Sequence, residues 1–182
     1  MDPQSERSEA VVDFSVDKWI SISDLQKSVP SLERAAWIAT LTRGTDGYFM
    51  QDGEFSKALF GEALACYVGG HFIASIVLGF SLIERSLAGR LSHVGPAMAS
   101  KGKSQAILAS ALKKGWLSQE EHDELDRIRE FRNPVAHFRD PLDESRPEIR
   151  AVLNAKTGPM MLEADARTVM RAALNVAGKT SL

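Results

Sequence analysis

One stretch constrains this chain more than any other: HFIASIVLGFSLIERSLAGRLSHVG, residues 71–95. From Phe72 as far as Ile83 it is apolar on nearly every side. A helix that is hydrophobic all round has to be enclosed, by other helices or by lipid. Charge and glycine interrupt the run, at Gly79, Glu84, Arg85 and Arg90. It therefore falls short of the roughly 18 uninterrupted apolar residues that mark a membrane span. The expectation is a buried central helix with the rest of the chain packed around it and no membrane partner. A chain of 182 residues is long enough for one domain with a proper core.

The flanking segments supply the enclosing helices. FSKALFGEALACYVGG, residues 55–70, repeats apolar positions at three and four, as in Leu59, Ala63, Cys66 and Tyr67. Its Gly69-Gly70 pair reads as a helix stop. Only a two-residue break separates it from the central helix, so the two should pack as an antiparallel αα-hairpin. SLERAAWIATLTR, residues 31–43, has helical spacing, with Pro30 ahead of it and Gly44 behind. GTDGYFMQDGE and GPAMASKGKSQ read as loops, and SQAILASALKKG as a short amphipathic helix ended by Gly115. LSQEEHDELDRIREFRNPVAHFRD opens with a capping box, Ser118 and Glu121, and continues with Leu125, Ile128, Val135 and Phe138 as a buried stripe. PLDESRPEIR reads as a polar connector. MLEADARTVMRAALNVAG is a last helix, with Leu162, Ala166, Val169, Met170 and Leu174 on one face. The first 30 residues are the least regular and read as a strap, anchored by Trp19 and Ile20 onto a single domain over 31–182. The fold class is all-α, an up-and-down bundle of about five main helices.

Composition removes several functions. A formal net charge of −2 argues against a protein that coats long nucleic acid, but leaves room for a local basic site holding one or two phosphates. The single cysteine, Cys66, builds no disulfide framework. With a polar, acidic N-terminus unlike a secretory signal, it points to the cytoplasm. The four histidines are scattered, and no metal-ligand spacing or phosphate-binding glycine loop follows a strand, so neither metal nor cofactor is expected.

Chemistry concentrates in REFRNPVAHFRD, residues 129–140. Asn133 and His137 stand four apart and share a helix face. Arg132 and His137 stand five apart and diverge on a straight helix. Pro134 removes a backbone donor and clashes with the carbonyl of Glu130, so a bend there would turn Arg132 and His137 toward one pocket. Arginine is a permanent planar cation suited to phosphate, histidine moves protons near neutral pH, and the asparagine amide can orient either. The plainer account is a basic helix C-terminus favoured by the helix dipole, followed by an Asn-Pro turn.

The motif RNPVAH, Arg132 to His137, resembles that of the HEPN superfamily (higher eukaryotes and prokaryotes nucleotide-binding), in which an arginine and a polar residue precede a histidine by a short gap. EALACYVGGHFIASIVLGFSLIERSLAGRL resembles the family's first long helical pair, and LSQEEHDELDRIREFRNPVAH the helix that leads to its motif. The likeness covers roughly residues 55–140. It implies a HEPN-like bundle and a metal-independent endoribonuclease, a toxin or defence effector in which the RNA 2′-OH attacks the adjacent phosphate. His137 would be general acid or base, Arg132 would stabilise the phosphorane, and Asn133 would orient them. Glu84 is a further catalytic candidate, or else an ion-pair partner of an arginine such as Arg132. Arg129 and Arg139 are candidate RNA contacts, or solvated charges. The resemblance also implies a homodimer with a composite cleft, RNA or nucleotide as partner, and an inhibitory partner protein. Other members are non-catalytic dimerisation, nucleotide-binding or protein-interaction modules, and that alternative stays open here.

Overall fold

A computed structural model describes residues 24–43, 53–94 and 103–180. Among the described residues there are seven helices and no strand: α1 Asp24–Thr42, α2 Gly53–Gly69, α3 Phe72–Val94, α4 Ser104–Lys113, α5 Gln119–Ala136, α6 Pro147–Leu153 and α7 Gly158–Thr180. The all-α expectation holds. Trp19, Ile20 and residues 44–52 and 95–102 lie outside the described residues.

α3 is the axis of the bundle. It packs most extensively on α7, then on α2, and also touches α4 and α5. Charges notwithstanding, it is long and apolar enough to cross a membrane by length and composition alone, a test that a buried core helix also passes. Ile76, Phe80, Leu82 and Ile83 are fully buried along it, against Val169 and Met170 of α7 among others. Each such side chain contributes about 1.5–3 kcal/mol of transfer free energy. Gly79 sets the closeness of that packing: a Cβ there would lie 2.8 Å from Val169 Cγ1. The turn between α2 and α3 ends α2 by a paired motif. Gly70 N–H donates to Tyr67 O at 3.1 Å and His71 N–H to Cys66 O at 2.8 Å, with Gly70 at φ +80°. That is a left-handed position glycine occupies without steric cost.

The capping box of α5 forms as its sequence implies. Glu121 N–H donates to Ser118 Oγ at 3.2 Å, and Ser118 N–H to Glu121 Oε2 at 2.8 Å. Lys179 Nζ reaches both Glu121 carboxylate oxygens, at 2.5 and 2.7 Å, tying the start of α5 to the end of α7.

Three local readings change. α1 begins at Asp24, not at residue 31, and runs through Pro30. Pro30 removes one backbone donor, but it sits on the exposed side, and Trp37 and Ile38 hold the helix against the core. The polar connector contains α6, with Pro147 preset for its first turn. Ala151 is buried and Arg150 pairs with Asp165 of α7 at both carboxylate oxygens, which secures this short helix from outside itself. Phe138, expected in the buried stripe of α5, is 90% exposed because the chain leaves the helix one residue earlier.

Candidate functional site

α5 continues through Pro134 to Ala136, and Arg132 does not join His137 in one pocket as expected. The break comes at His137, whose backbone is extended (φ −136°, ψ 145°) while its N–H still donates to Asn133 O at 2.9 Å. Past that point the chain turns outward. His137, Phe138 and Arg139 are all exposed, and with Pro134, Val135 and Ala136 they form one wall of a cleft of about 270 Å³. Arg146 and Glu148 complete its lining.

The structure thus brings His137 and Arg139 together and keeps the other expected residues elsewhere. Arg132 turns toward α3: its Cζ lies 5.6 Å from the centre of the Phe80 ring, and its buried Nε has no hydrogen-bond partner among the described residues. Asn133 is half-buried and engaged through its carbonyl. Neither Arg132 nor Asn133 lines the cleft. Arg129 Nε donates to Asp126 Oδ1 at 2.8 Å, one turn back on the same helix. Glu84 accepts from Ser104 Oγ and so fastens α3 to the start of α4 instead of pairing with Arg132.

Arg146 is the site residue that sequence reasoning missed. It is the residue just before α6, and its Nε donates to Glu148 Oε2 at 3.3 Å. The Arg146 guanidinium holds the Glu148 carboxyl below its ordinary range, so the pair stays ionised near neutral pH. The Arg-Pro pair heading a helix was the available signal; nothing in the sequence said which way the helix faced.

The cleft wall is held from behind. Arg150 and Asp165 join α6 to α7, and Arg150 Cζ lies 5.1 Å from the centre of the Phe131 ring on α5. Asp165 is 4% exposed; burial pushes its carboxyl up, and Arg150 opposes that shift. Chemically, the cleft offers an accessible imidazole for proton transfer, two guanidinium groups for a phosphate and an exposed phenyl ring on which a base can stack. Among the described residues no group of three histidine, cysteine, aspartate or glutamate side chains is arranged to hold a metal ion.

Fold and site together define a class: an all-α bundle with an open surface cleft of histidine, arginine and phenylalanine at a helix C-terminus. No family model, curated protein or solved structure matches the chain.

Proposed function

We propose that this protein is a metal-independent endoribonuclease of HEPN type. The observation that carries the reading is the meeting of His137, Arg139 and Arg146 at one open cleft. In the proposed reaction the ribose 2′-OH attacks the adjacent phosphorus and the bond to the 5′ oxygen breaks. A cyclic phosphate and a free 5′-OH result. His137 takes the 2′-OH proton or delivers one to the leaving oxygen. Arg139 and Arg146 hold the phosphate and offset the charge that grows on it. Phe138 stacks a neighbouring base. A second copy of the chain, bringing a second His137 to a shared groove, would supply the complementary acid or base.

The test is direct: purified protein should cut RNA in EDTA, leaving cyclic phosphate ends, and His137→Ala should lose cutting while keeping its melting temperature. A panel of RNAs left intact by wild-type protein would refute the reading.

The second reading is a non-catalytic interaction module of the same fold. It is favoured by Arg132, which rests on Phe80 and not in the cleft. In that case the motif arginine is a packing residue, and protein partners replace RNA.

A further inference from the structure

A second cleft, of about 280 Å³, opens where α1, the end of α2 and the first half of α7 meet. It is lined by Glu33, Arg34, Trp37, Tyr67, Glu163 and Arg167, none of which belongs to the His137 site. Its size falls near the lower end of ligand pockets, about 300 Å³, so its occupant is small.

The polar groups are prepared in advance. Arg34 is fixed from three sides: Nε donates to Val68 O at 3.0 Å, Nη1 to Glu163 Oε1 at 3.4 Å and Nη2 to Ser31 Oγ at 3.4 Å. Its side chain is only 13% exposed. Arg167 stacks on Trp37, Cζ to ring centre 4.6 Å, which aims the guanidinium without using its donors. Among the described residues those donors have no hydrogen-bond partner. Tyr67 is 1% exposed and tilted against Trp37 at 5.2 Å between ring centres. Burial keeps its phenol protonated, against the pull of Arg167 and Arg34, so it stands as a donor. Its hydroxyl too bonds to no described residue.

Three donor groups of two kinds therefore line one cleft with two carboxylates. The donors suit an anion with more than two oxygens. The carboxylates of Glu33 and Glu163 repel a bare anion but accept hydrogen bonds from hydroxyl groups. We infer that this cleft binds a small polyhydroxylated phosphate monoester, of sugar-phosphate type. Its phosphate sits between Arg167 and Tyr67 with Arg34 behind, and its hydroxyls face Glu33 and Glu163.

The probe is ribose 5-phosphate, titrated calorimetrically into the full-length protein, with ribose and inorganic phosphate as comparisons. Saturable binding is expected. Arg167→Ala, which removes an exposed side chain, should weaken it tenfold or more, as loss of a charge-assisted hydrogen bond does. Tyr67→Phe, which keeps the buried ring, should weaken it several-fold. Circular dichroism on both variants confirms that they are folded. Three outcomes overturn the inference: no saturable binding at about 10 mM ligand, unchanged binding in both folded variants, or inorganic phosphate binding as tightly as the sugar phosphate. Because the His137 cleft is untouched by these variants, an inactive ribonuclease would leave this result standing, and the reverse also holds.

Discussion

At residue scale the two halves of the motif have different work. Arg132 is tucked onto Phe80 with a buried Nε, whereas His137 stands in solvent at the cap of α5. Truncating Arg132 to alanine removes a cation–aromatic contact and the packing of its stem, so the protein should lose about 1–2 kcal/mol. Thermal melting of Arg132→Ala beside His137→Ala checks this: the first should melt several degrees lower and the second should not. Phe138 gives a complementary case. It is 90% exposed, so Phe138→Ala should leave the melting temperature alone. If it stacks a base, kcat/KM for RNA should fall about fivefold or more, from the roughly 1–3 kcal/mol a stacked base is worth. The sequence made the residue types of this site legible, but not their directions. Phe138 fits the periodicity of α5, and only the change to extended backbone at His137 turns it outward.

At element scale, legibility followed the range of the interactions. α5 announced itself through Ser118 and Glu121, because a capping box is contained within four residues. α6 did not, since Ala151 and the Arg150–Asp165 pair stabilise it through contacts with other elements. The capping carboxylate makes a pH prediction. Lys179 and Ser118 hold the Glu121 carboxyl below its ordinary value of 4.5. Its contribution is therefore fully present above that value and is lost as pH falls through the lower, folded value. Between about pH 5 and pH 3, wild-type protein should lose stability faster than Glu121→Gln, as followed by urea melts across that range. Equal slopes would mean that the Lys179 bridge adds nothing in solution.

For the whole molecule, one apolar helix organised everything else. The run from Phe72 to Ile83 required enclosure, and α2, α4, α5 and α7 provide it. The sequence could not reveal where the closest approach lies. Gly79 sits against Val169, and both are sealed in the core. Gly79→Ala gains up to about 1 kcal/mol of helix propensity but forces a methyl into a 2.8 Å gap. Overpacking of that kind costs about 1–3 kcal/mol, so chemical denaturation should find the variant less stable than wild type. The same enclosure fixes the site. α3 and α7 hold α5, and α7 holds α6, so the two segments that line the His137 cleft belong to one packed unit. The activity proposed for this cleft is RNA cleavage. The measurement is cleavage of a mixed-sequence RNA panel by full-length protein in EDTA, wild type against His137→Ala. Wild type should leave cyclic phosphate and 5′-OH ends and the equally folded variant none; undiminished cutting by His137→Ala would rule the proposed site out.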